Sequence, residues 1–458
     1  KQIAAVWDGA ATTKVEADWA LKQGEKILSS GKQTIDLQAG EIRFAPVSLT
    51  LPQVEGRTEL VLELNVRHDT KTLETDRFPI EVFPRPVPVA AKGGMALYDP
   101  LGKSGGDLKN LGIEPRPWKR GDSLADIEVL IIGREAIKPG DPLPYSTADI
   151  QKGLRVLMLS QHPLAWRSLG FETIETMPRY VFPRDTGSPI FAGLEPKDLI
   201  NWRGSPDLLP EGQQVVASDA PHAPKGTNRH AVASVALKTP HVAGFTPLIE
   251  TEFDLAYTTL LEFRDGKGGI WFSSLDFSGR LGTDPAATLL ARNMIETLSS
   301  AVWKETRPVY LVGGDGAGLR RLGLEPRTGL PDEAARDAIL VVEGETSQAE
   351  KIRAFADKGG TVVHVGRPEK ELQAAGLKTL RRPFYRALPD KDAPLLRGMG
   401  PNLLRWQDAL EVAAFVPEGQ PAGARVMAEG LLLDRKIGQG REIDLQVFPA
   451  LLEARHAD

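Results

Sequence analysis

The first 88 residues alternate between apolar and polar side chains with a period of two. In VEADWALKQ (15–23), Val15, Ala17 and Leu21 are separated by polar or amphipathic residues. Similar segments follow, separated by glycine-containing turn signals: KQTIDLQ (32–38), IRFAPVSLTL (42–51), TELVLELNV (58–66) and RFPIEVF (77–83). Alternation of this kind indicates half-buried strands, and short strands at this spacing predict an antiparallel β-sandwich over residues 1–88.

The pattern changes after the proline-rich segment FPRPVP (83–88), which ends a strand and stiffens the chain. Buried apolar runs now alternate with short helical patterns. In chain order these are GMALYDP (94–100), GGDLKNLG (105–112), DIEVLIIG (126–133), STADIQKG (146–153) and LRVLMLS (154–160). Strands that alternate with helices predict a mainly parallel sheet with helices on both faces.

The last third of the chain repeats this order. Its segments are PVYLVGG (308–314), LRRLG (319–323), DAILVVEG (337–344), SQAEKIRAFADKGG (347–360) and TVVHVG (361–366). The most similar pair of phrases is LKNLGIEPR (108–116) and LRRLGLEPR (319–327), identical at six of nine positions. Five matched stretches in one order predict a duplication. We name residues 89–304 the first α/β region and residues 305–458, which are fewer, the second α/β region.

The repeated phrase has a mechanical interpretation. Its leucines pack a short helix on the sheet, Gly112 or Gly323 ends that helix, and Pro115 or Pro326 directs the chain into the next strand. Both regions therefore need the same corner.

Composition excludes several classes of function. The chain has no cysteine, which excludes disulfides, thiolate metal sites and cysteine nucleophiles. Its net charge of −5 shows no excess of basic residues of the kind that binds nucleic acid. No apolar run approaches the roughly 18 residues that span a membrane. The chain begins at Lys1 without a signal pattern, from which we expect a processed or excised piece of a longer protein.

The glycine cluster GGDGAG (313–318) follows a strand and opens a helix, which is the context of a dinucleotide-binding loop. The spacing fails, because a G-x-G-x-x-G motif that starts at Gly314 would need glycine where Leu319 stands. A tight turn is therefore favoured over a phosphate site, and we predict no cofactor.

The seven histidines are scattered and none has the spacing of metal ligands, so we predict no metal site. His364 lies within the strand TVVHVG and is predicted to be a core histidine with its hydrogen bonds satisfied. His222 and His230 are predicted to be solvated residues of a polar loop.

Three tryptophans raise the question of sugar binding, because aromatic rings stack on sugars. Trp166 and Trp202 are the candidates for carbohydrate contact. Trp202 and Trp406 occupy matched places in the two α/β regions, and a repeated packing anchor is the favoured interpretation for this pair.

The order of strands and helices resembles the class I glutamine amidotransferases. Those enzymes place a cysteine at a sharp turn after a central strand and carry a later His-x-Glu. The matching turns here read Ser160-Gln161-His162 and Gly366-Arg367-Pro368, with no cysteine. No G-x-S-x-G elbow surrounds Ser160, and His162 lies only two residues away, so we predict no catalytic residue here.

Longer segments carry a second resemblance: GLRVLMLSQHPLAWRSLGF (153–171), SPIFAGLEPKDLINWRG (188–204) and DGKGGIWFSSLDFSGRLGTDPAATLLARNMIETL (265–298). They look like the amidotransferase-like domains that accompany large bacterial glycoside hydrolases, a relative of which mediates trimer formation in family 42 β-galactosidases. The preceding sandwich, which ends DRFPIEVFPRPVPV (76–89), resembles the immunoglobulin-like domains of glycoside hydrolase family 2.

The resemblance implies an immunoglobulin-like β-sandwich and two flavodoxin-like, amidotransferase-like doubly wound α/β domains related by duplication. It also implies a non-catalytic accessory portion of a bacterial β-galactosidase-like enzyme, whose catalytic glutamates have no matching positions here. The expected partners are a catalytic barrel, a glycan or further copies of the chain. The expected location is periplasmic or secreted, with the cytoplasm left open. A carbohydrate-binding module and a stand-alone hydrolase are the alternatives.

Overall fold

The structure is a computed structural model. It describes residues 1–68, 71–85, 94–174, 176–204, 230–252, 255–332, 335, 337–390, 392–396, 399 and 404–447. The chain divides into two compact units, Lys1–Pro88 and Val89–Asp458. It is a multidomain protein of β and α/β structure with several sheets, some of them mixed. Within the described residues, no helix is both long enough and apolar enough to cross a membrane.

The first unit is built from antiparallel strands. They are β1 (Gln2–Val6), β2 (Thr13–Gln23), β3 (Lys26–Leu37), β4 (Ile42–Pro46), β5 (Thr58–His68) and β6 (Lys71–Val82). Four of them form a sheet in the order β3-β2-β5-β6, and β1 pairs with β4. Ile3 and Ala45 of the smaller sheet pack in one core with Val15, Ala17 and Ile35 of the larger sheet, as the alternating pattern predicts.

Within its described residues, the first α/β region supplies ten strands and four α-helices. The strands are β7 (Met95–Tyr98), β8 (Arg116–Pro117), β9 (Val129–Ile132), β10 (Arg155–Met158), β11 (Thr173–Ile174), β12 (Val181–Pro183), β13 (Ala236–Lys238), β14 (Phe245–Thr251), β15 (Tyr257–Asp265) and β16 (Gly268–Ser273). The helices are α1 (Gly105–Asn110), α2 (Thr147–Lys152), α3 (Pro163–Ser168) and α4 (Pro285–Ser300).

The second α/β region supplies nine strands and three helices among the residues described. The strands are β17 (Val309–Val312), β18 (Arg327–Thr328), β19 (Ile339–Glu343), β20 (Thr361–Val365), β21 (Thr379–Arg386), β22 (Arg405–Phe415), β23 (Arg425–Met427), β24 (Leu432–Ile437) and β25 (Gly440–Leu445). The helices are α5 (Ala317–Arg321), α6 (Ala349–Asp357) and α7 (Glu369–Ala374).

The two α/β regions have the same strand order over six strands. The first reads β8-β7-β9-β10-β16-β15 and the second reads β18-β17-β19-β20-β25-β24. In both, the first four pairings are parallel and the last is antiparallel. The matched sequence stretches therefore occupy equivalent places in two sheets of one topology.

The sheet of the first region differs from the mainly parallel sheet that the sequence predicts. Beyond β16 it continues through antiparallel pairings of β15 with β14 and β13, and of their neighbours β12 and β11. The connections from β14 to β15 and from β15 to β16 are short, and strands joined by short turns can only run antiparallel.

Helices cover both faces of this sheet, as predicted. Helix α4 packs one face through residues such as Leu290 and Met294, whereas α2 and α3 pack the other through Ile150 and Trp166. Helix α4 begins at a side-chain cap: the Asp284 side chain accepts a hydrogen bond from the Ala287 backbone N–H, and Pro285 stands in the first turn.

The repeated phrase forms the same helix end twice. Gly112 and Gly323 have φ of 73° and 71°. After α1, the Ile113 N–H donates to the Leu108 carbonyl at 3.1 Å, and after α5 the Leu324 N–H donates to the Leu319 carbonyl at 3.0 Å. Both are Schellman motifs, which need a left-handed residue at the glycine. The predicted corner is confirmed.

The late hairpins, Gly-Lys-Gly-Gly and Gly-Gln-Gly-Arg, are also equivalent. The Lys267 N–H donates to the Gln151 carbonyl at the end of α2, and the Gln439 N–H donates to the Asp357 carbonyl at the end of α6. A Cβ added to Gly268 or Gly440 would lie within 2.3 Å of two backbone carbonyl oxygens. Glycine is thus required at both positions by the close approach of two backbones.

Candidate functional site

A groove crosses one face of the sheet in the second α/β region, between helices α6 and α7. It encloses about 580 Å³, which is in the range of small-molecule sites. Its walls are aliphatic and include Ile352, Ala356, Val362 and Ile437. Charged side chains lie at one end: His364, Arg367, Arg435 and Glu442 line the groove, and Asp444 lies beside them.

The strands bring these charged groups together by register. His364 of β20 is paired with Asp444 of β25, and Arg435 of β24 is paired with Glu442 of β25. Glu442 and Asp444 are two residues apart and therefore project from the same face of the sheet. Arg367 follows β20 and reaches back across both carboxylates.

Glu442 is the centre of the network. Its Oε1 lies 2.8 Å from His364 Nε2 and accepts a hydrogen bond from Arg367 Nη2 at 2.8 Å, and its Oε2 lies 2.9 Å from Arg435 Nη2. Arg367 Nη1 lies 3.0 Å from Asp444 Oδ1. The side chain of Asp444 is fully buried, and the other four are 10–14% exposed. Charges this deeply buried are tolerated only when they are paired.

Burial and pairing shift the pKa values of the two carboxyls in opposite directions. Burial alone would raise the pKa of Glu442, but the hydrogen bonds from His364 and Arg367 and the charge of Arg435 hold it well below its usual range. Burial raises the pKa of Asp444, and the nearby Arg367 offsets only part of that effect. Glu442 is thus held ionised, whereas the site disfavours the charged form of Asp444.

The first α/β region has apolar residues at the equivalent positions. Met158 and Phe272 are paired where the second region pairs His364 with Asp444, and Phe263 and Ile270 are paired where it pairs Arg435 with Glu442. In the first region Phe272 packs against Phe171 at 4.9 Å and against Trp166 at 6.2 Å between ring centroids. The matched positions of those two rings hold Leu372 and Leu377 in the second region.

One face of the same fold is therefore filled by aromatic rings in the first region and carries a charged network beside a groove in the second. A buried network of this kind is not needed to build the fold, since the first region has the same strand order without it. Perturbed carboxyls beside a groove are typical of functional sites.

His364, Glu442 and Asp444 also form a possible metal-ligand set, with donor atoms within 4.8 Å of one another. Two guanidinium groups contact the same carboxylates, however. Their positive charges already neutralise both carboxylates, and a divalent cation would add two unpaired charges to a buried site. The arrangement therefore disfavours a metal ion.

The two tryptophans predicted as carbohydrate contacts are buried. Trp166 has no exposed surface and packs edge-on against Phe171, and Trp202 is 1% exposed and stacks on Phe277 at 5.5 Å. Neither ring presents a face to solvent, so the structure gives no support to sugar stacking at these residues. Trp406 is half-buried in a core of the second region, which agrees with a packing role.

Ser160 and His162 do not form a nucleophile and base pair. Ser160 is buried, and no hydrogen bond joins it to His162. His162 instead caps helix α3, where its Nδ1 accepts a hydrogen bond from the Leu164 N–H at 3.3 Å. In the second region the equivalent turn carries Gly366, which has no side chain to react.

The glycine cluster after β17 is a tight turn. Gly313, Gly314 and Gly316 all have positive φ. The Glu343 carboxylate accepts a hydrogen bond from the Gly316 N–H at 3.1 Å. In the first region the Asp99 carboxylate accepts a hydrogen bond from the Ser104 backbone N–H at 2.8 Å. A carboxylate already occupies both turns, which disfavours a phosphate there.

Of the histidines, His364 is buried as predicted, but its partners could not be identified from sequence. His230 has φ of 66°, and its Nδ1 lies 3.0 Å from the Trp202 carbonyl oxygen, whereas His222 lies outside the described residues. A sequence signal for the network did exist: His364 in TVVHVG and Glu442 and Asp444 in REIDLQ stand where the matched segments RVLMLS and GIWFSS have apolar residues.

No protein-family model matches the chain. No curated protein matches it either. Among solved structures, the chain is similar to a calcium-binding mutant of β-glucuronidase 2 from Bacteroides uniformis, with 12% identity, 36% of this chain and 22% of that chain covered, and a TM-score of 0.16. It is similar to the exo-β-1,4-mannosidase from Opitutaceae bacterium strain TAV5, with 13% identity, 36% and 34% coverage, and a TM-score of 0.21. The chain thus spans about a third or less of those proteins, and TM-scores this low assign neither a fold nor a function.

Proposed function

We propose that this chain is a non-catalytic accessory portion of a glycoside hydrolase similar to family 2 enzymes. In this proposal residues 1–88 are an immunoglobulin-like sandwich, and the two α/β regions are duplicated amidotransferase-like domains. Support comes from the segments over residues 76–89 and 153–298 that resemble such enzymes. The identical strand order of the two α/β regions supports the duplication.

The observation that carries the non-catalytic role is the state of the two turns that resemble the nucleophile turn of amidotransferases. Ser160 is buried and has no base, because His162 is engaged as a helix cap. Gly366 offers no nucleophile at the equivalent place. Both regions keep the glycines and leucines that build the corners, which is the part of the fold that a scaffold needs.

The proposed partner is a catalytic barrel, in the same polypeptide or in a partner chain, and the proposed location is periplasmic or secreted. Assembly with further copies of the chain is compatible with this role. A carbohydrate-binding module loses its main support because the candidate rings are buried.

The test is the mass of the native protein in its source, together with peptide coverage upstream of Lys1. We expect a mass well above 49.8 kDa, with upstream peptides from a barrel that carries two glutamates. We also expect no turnover of aryl glycosides or amides by the purified chain. Turnover that a Ser160→Ala change abolishes would contradict the proposal.

A further inference from the structure

We propose that the hairpin of β21 and β22 in the second α/β region binds an acidic polysaccharide, whose carboxylates pair with Arg386 and Arg405. The choice of an anion rests on the hairpin itself. The choice of a polysaccharide also rests on the proposed accessory role in a glycoside hydrolase. The surface does not involve Trp166 and Trp202, which are buried.

Two arginines face each other across this hairpin. Arg386 of β21 is paired with Arg405 of β22, beyond an irregularity in the ladder, and both residues are exposed. We name them the arginine pair. Residues directly opposite in an antiparallel ladder have Cβ atoms about 4.5–5.5 Å apart, and like charges in that position destabilise the hairpin. Within the part of the chain that the structure describes, neither guanidinium has an ion pair or a hydrogen bond. An anion bound between them would offset their repulsion.

The fold itself does not require the arginine pair. In the alignment of the two α/β regions, Tyr180 and Asn201 occupy the places of Arg386 and Arg405. The first region makes an equivalent connection there, because Tyr180 forms a β-bridge with Ile200. The same part of the fold is thus built with neutral residues in one region and with two positive charges in the other.

The strand that carries Arg386 is strongly basic. KTLRRPFYR (378–386) has four basic residues and no acidic residue, whereas the matched segment ETIETMPRY (172–180) has two acidic residues and one basic residue. The carboxylates on β22 are Asp408 and Glu411, against four arginines on the two strands. On a chain with a net charge of −5 the hairpin therefore carries a local excess of positive charge, which attracts anions.

The other two arginines of β21 have neighbours that engage them. Arg381 Nε lies 4.0 Å from Glu369 Oε2. Arg382 donates a hydrogen bond to the Glu429 carbonyl oxygen, and its guanidinium lies over the Phe384 ring, 4.5 Å from the centroid. The arginine pair is therefore the part of the hairpin that is open to an anionic ligand.

Three features favour a polysaccharide over other anionic polymers. Tyr385, which directly precedes Arg386, is 63% exposed, and an exposed ring can stack on a sugar ring. Pro383 lies inside β21 and has no N–H, which disfavours the addition of a peptide strand along this edge. The net charge of −5 repels polymers as densely charged as nucleic acid.

The experiment is isothermal titration calorimetry of the full chain with tetragalacturonate, a linear chain of four acidic sugars, at low ionic strength. Maltotetraose has four sugar rings without charge, and tetraglutamate has carboxylates on a flexible chain without rings. We expect saturable binding of tetragalacturonate with a Kd on the order of 1 mM. Maltotetraose and tetraglutamate should each bind at least about tenfold more weakly, because each lacks one kind of contact.

Matched variants locate the binding. Arg386→Gln and Arg405→Gln should each weaken tetragalacturonate binding by about tenfold. Neither should lower the urea midpoint of unfolding, because each removes a like-charge repulsion. Arg353→Gln is the control: its side chain is 78% exposed on α6, and this variant should bind like the unchanged protein. Tyr385→Ala should weaken binding of tetragalacturonate but not of tetraglutamate.

Three results would overturn the proposal. The first is no saturable binding of tetragalacturonate at about 10 mM, well above the expected Kd. The second is binding that the double variant of Arg386→Gln and Arg405→Gln leaves unchanged. The third is equal or tighter binding of tetraglutamate or of a thymidine tetranucleotide, which would assign the pair to another class of polymer. Absence of glycan binding in a chain whose native mass is well above 49.8 kDa would contradict this inference alone and leave the accessory role standing.

Discussion

Two neighbouring carboxyls of one strand show how residue type and environment combine. Glu442 is surrounded by His364, Arg367 and Arg435, whereas Asp444 is fully buried with a single close partner. The sequence places them two positions apart, which puts both on one face of β25. Neighbours from other segments of the chain then favour the ionised form of Glu442 and disfavour the ionised form of Asp444.

Substitution should therefore act in opposite directions at these two residues. Glu442→Gln removes the carboxylate that pairs with Arg435 and leaves Arg367 with Asp444 alone, so we expect a loss of about 3 kcal/mol in the free energy of unfolding at pH 7. Asp444→Asn removes a charge that burial disfavours, so we expect a higher free energy of unfolding. Urea denaturation measures both. A large loss in Asp444→Asn would show that the Arg367 pair outweighs the cost of burial.

The buried tryptophans give a second residue-scale prediction. Trp166→Ala and Trp202→Ala should each lower the free energy of unfolding by about 3–5 kcal/mol, because a large buried ring is lost. Neither change should selectively abolish glycan binding. Tyr385→Ala is the control, because Tyr385 is 63% exposed, and it should change stability by less than about 0.5 kcal/mol. A stable Trp202→Ala protein that no longer binds glycan would restore the carbohydrate interpretation.

At the scale of elements, the helix ends repeat between the two α/β regions. Schellman hydrogen bonds follow α1 and α5, and the same bonds follow α3 and α7: Phe171 N–H to the Trp166 carbonyl, and Leu377 N–H to the Leu372 carbonyl. The glycine in each motif can be read from sequence, because the left-handed position favours glycine. This is why the matched phrases predict structure better than they predict chemistry.

Gly112→Ala and Gly323→Ala should each lower the free energy of unfolding by about 1–2 kcal/mol, because both positions have positive φ. Gly106→Ala is the matched control. It lies inside α1 in open space, so alanine should instead raise stability by up to about 1 kcal/mol. Thermal and urea unfolding of the three variants measure these changes in the free energy of unfolding. Unchanged stability in both corner variants would refute the account of the corner.

The hairpin glycines should be more sensitive than the corner glycines. A side chain at Gly268 or Gly440 would meet backbone oxygens that cannot move away independently. We expect Gly268→Ala and Gly440→Ala to lower the free energy of unfolding by about 3 kcal/mol each, at the upper end of the usual range of overpacking strain. Gly279 also has a positive φ, of 62°, but a Cβ added there would meet no neighbouring atom. The Gly279→Ala variant therefore measures the cost of the backbone conformation without the cost of a steric clash.

At the scale of the whole molecule, two regions of one topology differ in what fills one face of the sheet. The residues on this face of the first region are apolar and do not titrate. The stability of the second region depends instead on ionised Glu442 and on its partners. The two regions should therefore respond differently to acid.

A group with a depressed pKa stabilises the fold above its ordinary pKa, and this stabilisation is lost as the pH falls towards the lower value. The stabilisation of the second region by ionised Glu442 should thus begin to decrease below about pH 4.3, the ordinary pKa of glutamate. Asp444 has the opposite sign: its raised pKa means that the protonated form fits the fold, so its contribution improves as the pH falls. The expected profile for the second region rises and then falls on acidification.

Hydrogen exchange with mass analysis of peptides tests this profile. Peptides from β20 and β25 should lose protection below about pH 4.3, while peptides from β10 and β16 change less. Glu442→Gln should remove the loss, and Asp444→Asn should remove the preceding gain. Equal loss of protection in both regions would contradict a role for the network.

The sequence by itself determined five of the six strands of the first unit, the strand–helix alternation, the two matching α/β orders and the glycine corners. These follow from local periodicity and from backbone conformations that only glycine adopts readily. The family resemblance and the accessory role also came from sequence, and both stay proposals. Ser160, His162, Trp166 and Trp202 could be named from sequence, but not their burial.

Only the tertiary structure decided the antiparallel extension of the first sheet and the assembly of the charged network. Arg367, Arg435 and the Glu442–Asp444 pair come from three separate segments, and the pattern within each segment does not identify its partners in the others. Strand register places them in contact, and burial then sets which carboxyl keeps its charge. Chemistry that depends on distant pairing and on local dielectric is therefore decided by the packed fold.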